Sequence, residues 1–148
     1  MTLELKRDIY RDLLEWKKKN RGKVLELKGA RQAGKSYILD KFGRENYATY
    51  IYINMAQTTG QEFLTCLDQA GKWEPGKPRP EAPVHQALRL FDSRFTDEET
   101  TLVVIDEIQE SARVYSLIRQ FAREFQCHFA VAGSYLGKTV EKEYFLPA

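Results

Sequence analysis

Two cysteines and two histidines are all that this chain of 148 residues contains of the usual soft metal ligands. Cys66 and Cys127 are far apart and stand at neither CxxC nor zinc-site spacing, so a disulfide framework and a structural zinc are not expected. They read as buried thiols in a reducing compartment. His85 and His128 form no metal constellation either, which leaves packing or surface roles for them. Long hydrophobic runs are also missing. The longest apolar stretches are strand-sized, and Met1-Thr2-Leu3-Glu4-Leu5-Lys6-Arg7 lacks the uninterrupted apolar core of a signal peptide. A cytoplasmic location with no membrane partner is the expectation. Internal repeats and low-complexity tracts are absent as well, and 43% apolar with 30% charged residues is the composition of an ordinary soluble domain.

Charge of one sign is lacking overall, at a net +2, yet it is unevenly spread. The first thirty-five residues hold eleven Lys or Arg against five acids, and the remainder twelve against sixteen. The run Lys17-Lys18-Lys19-Asn20-Arg21-Gly22-Lys23 suits the phosphate backbone of a nucleic acid. More often such a run is a solvated helix end, where lysines face the negative pole of the helix dipole, and no aromatic stacking pattern accompanies it.

What is present is more specific. Gly29-Ala30-Arg31-Gln32-Ala33-Gly34-Lys35-Ser36 has the form GxxxxGK[ST]. It follows a hydrophobic segment, Lys23 to Lys28, and opens a helical one, Ser36 to Phe42, closed by Gly43. Strand, loop and helix in that order are the context in which the motif binds phosphate. The glycines let backbone N–H groups turn inward around phosphate oxygens, and the helix N-terminus adds its positive pole. Lys35 then reaches the β and γ phosphates, Ser36 places a hydroxyl on Mg²⁺, and Tyr37 completes the contacting segment. A nucleoside triphosphate with Mg²⁺ is therefore the expected ligand.

A second motif lies about seventy residues on. Thr101-Leu102-Val103-Val104-Ile105-Asp106-Glu107 is a continuous apolar run ending in two acids, the pattern of a parallel strand buried on both faces. Ligands of open α/β sheets bind at that end of a strand. Asp106 is placed to hold the shell of the metal, and Glu107 to orient and polarise an attacking water. A solvent-facing acidic strand end is the alternative reading, and the spacing between the motifs argues against it.

The remaining segments give an alternating layout. Leu5, Ile9, Leu13 and Trp16 recur at helical spacing, so residues 3 to 20 form an amphipathic first helix. Tyr47 to Met55 reads as the second strand on its aromatic and β-branched content. Thr59 to Ala70 is a helix stopping at Gly71. Residues 71 to 83 hold four of the five prolines and read as a surface loop. Val84, Ala87, Leu88, Phe91 and Phe95 mark one further helix, and Val114, Leu117, Ile118, Phe121 and Phe125 another. Cys127 to Ala132 is the last strand, leading into Gly133-Ser134. Ser134, at its tip, is placed to sense the γ-phosphate or the attacking water. Asn54, at the tip of the second strand, is placed to hydrogen-bond Glu107 and hold it away from water until a partner binds. Either polar residue also suits a plain turn-capping role.

Leu5-Lys6-Arg7-Asp8, the phosphate loop, Tyr52-Ile53-Asn54, Asp106-Glu107-Ile108-Gln109-Glu110 and Ala132-Gly133-Ser134 together resemble the prokaryotic AAA+-type ATPases of the "GARQ-x-GK" and "DEIQ" kind. The resemblance implies Walker A roles for Lys35 with Ser36, Walker B roles for Asp106 with Glu107, and a sensor 1 role for Ser134. It implies an α/β fold, a P-loop NTPase three-layer sandwich with a mostly parallel sheet. One domain is expected over 1–148, an N-terminal helix 3–20 and a core 23–148. Relative to a complete AAA+ module the final strand, sensor 2 and lid are expected to be lacking, as in a fragment of a longer protein. Weak ATP binding with slow or no hydrolysis is then expected of the fragment, because such ATPases usually need an arginine from a neighbouring subunit. Arg113, Arg119 and Arg123, on the helix after the Walker B strand, are candidates for that arginine, and solvent-face roles explain them equally well. A P-loop kinase is disfavoured by Glu107 and by the lack of an acceptor site, and a GTPase by the lack of an NKxD-like motif. A nucleotide-dependent nucleic-acid-binding or regulatory module with little catalysis is the alternative function, and self-association of the full-length protein a further expectation.

Overall fold

The computed structural model describes residues 3–19, 24–28, 33–70, 75–76, 82–133 and 145–147. Among the described residues five α-helices and five strands run in the order α1 (Leu3–Lys19), β1 (Val24–Lys28), α2 (Ala33–Asn46), β2 (Thr49–Asn54), α3 (Thr58–Ala70), α4 (Pro83–Phe91), β3 (Thr101–Asp106), α5 (Ala112–Phe121), β4 (His128–Gly133) and β5 (Phe145–Pro147). Their strands make one sheet in the order β2-β3-β4-β1-β5. The first four pair in parallel, and β5 lies antiparallel on the outer edge of β1. The mostly parallel sandwich read from the sequence is thus present. The three-residue β5, which that reading did not anticipate, occupies the edge of the sheet beside β1.

Strand alternation sorts the core into two layers. Leu25, Leu27, Leu102, Val104, Ala130 and Ala132 pack with Ile9, Leu13 and Trp16 of α1 and Ile38, Leu39 and Phe42 of α2. On the opposite face Ile51, Ile53, Val103, Ile105, Phe129 and Val131 pack with α3, α4 and α5 through Phe63, Leu67, Val84, Leu88, Val114 and Ile118. Every residue of β3 is buried, as its unbroken apolar run requires. Among the described residues no helix is long and apolar enough to cross a membrane.

Three helix ends differ most from the sequence reading, each for a tertiary reason. Gly43 does not close α2, which continues to Asn46. Instead it receives the ring of Tyr50, since a Cβ there would fall 2.3 Å from Tyr50 Cδ1. Phe95 and Phe125 keep helical spacing yet lie past the ends of their helices. Both remain buried, reached through turns in which Asp92 and Phe125 are extended. Cys66 is half-buried rather than buried, while Cys127 is buried, and both are free thiols whose pKa values burial raises. The histidines pack: His85 stacks on Phe125 and pairs with Asp97, and His128 meets Tyr47 and Trp16.

Candidate functional site

Parallel pairing puts the C-terminal ends of four strands in one line. Lys28 of β1 is level with Gly133 of β4, and Asn54 of β2 with Asp106 of β3. With β4 between them, the ends of β1 and β3 are two strand spacings apart, roughly 10 Å. Between β1 and β4 the chain also changes direction across the sheet. From β1 it passes through α2 on one face to the far strand β2, then returns through β3 to β4 with α3, α4 and α5 on the other. Such a reversal leaves a crevice beyond the strand ends, where α/β proteins bind ligands.

One side of that crevice is bounded by the end of β1 and the start of α2. Gly29, Ala30, Arg31 and Gln32 lie outside the described residues. Ala33, Gly34, Lys35 and Ser36 form the first turn of α2, the N–H-rich end of this helix. Tyr37 is exposed on α2. Ser134, next after β4, lies outside the described residues.

The other wall is better defined. Asp106 is only 6% exposed, and Oδ2 accepts a 2.6 Å hydrogen bond from the Tyr52 hydroxyl. The backbone N–H of Glu107 donates to Oδ1 at 2.8 Å. This bond and the turn Glu110 N–H to Glu107 C=O, 3.0 Å, hold Glu107 at φ 52°, ψ 43°. It is the only non-glycine residue in the left-handed region among the described residues, a conformation that costs of order 1–3 kcal/mol. The consequence is that the chain turns sharply at the strand end and presents the half-buried Glu107 carboxylate beside Asp106. Glu107 Oε2 accepts from Gln109 Nε2 at 2.7 Å.

Asn54 comes to the same end of the sheet but not onto Glu107. Its Nδ2 donates to the Tyr52 hydroxyl at 3.3 Å, and Oδ1 accepts from Ala56 N–H at 2.9 Å. Asn54 therefore braces Tyr52, which braces Asp106. Tyr52 carried no role in the sequence reading, although it precedes Asn54 by two on the same strand and so shares its face. Gln109 was quoted only as part of a motif.

Of the arginines, Arg113 pairs with Asp68 of α3 at 2.8 Å, and Arg119 with the buried Glu26 of β1 at 2.9 Å, joined there by the Tyr115 hydroxyl. Arg123 is exposed. At the basic end of α1, Lys17 lies 5.0 Å from the centre of the Tyr47 ring, while Lys18 and Lys19 are exposed in the last turn.

The donor chemistry at Asp106 fits Mg²⁺, a hard cation that takes carboxylate and hydroxyl oxygen and keeps part of its water shell. Among the described residues no group of three or more His, Cys, Asp and Glu is placed to hold a metal by itself. The model of a family described as an AAA domain matches residues 21–144, most of the chain. No curated protein matches it.

Proposed function

This chain belongs to the AAA domain family and is a nucleotide-binding module of that type, and we propose that it binds ATP with Mg²⁺ and hydrolyses the γ-phosphate bond. The observation that carries the reading is the pair of acids at the end of β3, separated by β4 alone from the end of β1. Asp106 is braced from two sides, and Glu107 is turned out beside it in a strained backbone. A gap of roughly 10 Å suits a triphosphate lying across the tip of β4.

In this reading the backbone N–H groups of residues 29–34 and the Lys35 ammonium cradle the phosphates, with Tyr37 just beyond. Ser36 and Asp106 hold the Mg²⁺, which supplies charge neutralisation on the phosphate oxygens. Tyr52 fixes the Asp106 carboxylate through Oδ2. Glu107 accepts a proton from water aimed at the γ-phosphorus, and ADP leaves with the electron pair of the broken P–O bond. Ser134, following β4, is suited to touch the γ-phosphate or that water.

The test separates binding from chemistry. Glu107→Gln retains the shape but loses the proton acceptor, so ATP affinity should stay within about threefold while turnover falls about a hundredfold or more. Hydrolysis at the parental rate in Glu107→Gln would remove Glu107 from this role.

A further inference from the structure

We propose that the last turn of α1 is an acid-released latch, and that His128, at the start of β4, is the group whose charging pushes Trp16 and Lys17 off the sheet.

Helix α1 stands outside residues 21–144, the stretch that the AAA domain model matches, yet it covers one face of the sheet with Ile9, Leu13 and Trp16. Its last turn closes over a buried polar ring. His128 is 6% exposed and Trp16 7%, and the two rings meet edge to face with 5.4 Å between centres. The Tyr47 ring packs on the same imidazole, also at 5.4 Å, and its hydroxyl lies 2.6 Å from Nδ1. Lys17, next in the helix, brings its ammonium 5.0 Å from the centre of that Tyr47 ring. The Trp16 indole N–H is buried without a hydrogen-bond partner, so the indole is held by packing and by no hydrogen bond of its own.

Charging the imidazole works against these contacts. Neutral Nδ1 can accept from the Tyr47 hydroxyl, whereas in the imidazolium both ring nitrogens are donors. The new charge is also buried, beside a ring that already carries the Lys17 ammonium. Glu99, in the turn before β3, favours the charged form; burial first and Lys17 next outweigh it and hold the pKa below 6.5. Leu102, the register partner of His128 on β3, is uncharged. Opening the last turn of α1 hydrates the imidazole and separates it from Lys17, so the open form binds protons more tightly. The closed turn is therefore fully favoured above pH ~6.5 and loses that advantage as pH falls from there toward the depressed value of the closed form.

Hydrogen exchange in the 148-residue chain tests this, with the Trp16 indole N–H and the Trp16 and Lys17 amides as probes and the β3 amides as the record of global unfolding. Each rate is taken relative to the unstructured peptide at the same pH. The probes should open at least about tenfold more often than β3, and their opening should rise about fivefold to tenfold from pH 7.5 to 5.5. His128→Gln should remove that rise whatever it does to the absolute rate, and Lys17→Gln, which leaves the buried ring in place, should reduce it. Probes that open no more often than β3 would leave global unfolding alone and overturn the latch. So would local opening that does not change with pH, a rise that persists in His128→Gln, or, should that variant not fold, a rise undiminished in Lys17→Gln.

Discussion

Replacing Tyr52 by phenylalanine removes one oxygen atom and tests how the metal acid is held. The ring is half-buried, and the change removes the 2.6 Å hydrogen bond into Asp106 Oδ2 and the longer 3.3 Å contact from Asn54. A hydrogen bond to a charged group contributes about 1.5–3 kcal/mol. With Asp106 at 6% exposure, water has little access to replace it. For a chain of this length each kcal/mol corresponds to about 3 °C in Tm, so Tyr52→Phe should melt roughly 5–10 °C below the parent in nucleotide-free, magnesium-free buffer. Scanning calorimetry gives that number directly. The same substitution in an Asp106→Asn background should cost at least about 1 kcal/mol less, because the neutral amide gains less from the hydroxyl. With ATP present, the Mg²⁺ concentration giving half of the ligand-induced rise in Tm should increase about tenfold, since a loose carboxylate must be ordered when the ion binds. A melting shift under about 2 °C together with an unchanged Mg²⁺ midpoint would refute the claim that Tyr52 orients Asp106.

Two other perturbations test the frame around the site. Arg119→Ala strands the buried Glu26 carboxylate with only the Tyr115 hydroxyl, and should lower stability by about 1–3 kcal/mol in urea titrations; Glu26→Met removes the buried charge itself and should change it by no more than about 1 kcal/mol. Equal losses would contradict this asymmetry. Burial, and next Lys17, hold the His128 imidazole below its usual pKa of 6.5. Protons therefore bind the unfolded chain more readily: the stability present above pH ~6.5 is lost as pH falls from there toward the depressed folded value. His128→Gln should flatten the fall in Tm between about pH 7 and 5 relative to the parent, and parallel curves for the two would show that His128 does not carry it.

Much of the fold was legible because it depends on local pattern. The full burial of β3 follows from its apolar run, and the sides taken by α1 and α5 follow from their spacing at Ile9, Leu13 and Trp16 or Val114 and Ile118. Asp106 and Glu107 were found because a strand end has a fixed meaning in a parallel sheet. Features that depend on distant partners were not legible. Gly43 reads as a helix stop until the Tyr50 ring of the next strand is placed against it. The arginines look like solvent-facing charges until Glu26, 93 residues from Arg119, supplies the counter-ion. Helical spacing ran on through Phe95 and Phe125 because a buried aromatic after a turn falls at a similar interval. Asn54 was assigned to Glu107 by its position at the strand tip; only side-chain geometry shows that Tyr52 takes its amide and that Gln109 reaches Glu107.

Calorimetric titration of ATP with Mg²⁺ into the chain and into Lys35→Ala addresses the nucleotide site itself. Saturable binding by the parent, weakened about tenfold to a hundredfold in the variant through loss of charge-assisted phosphate contacts, is the result this account predicts. Equal affinity in the two proteins would place the nucleotide elsewhere and contradict it.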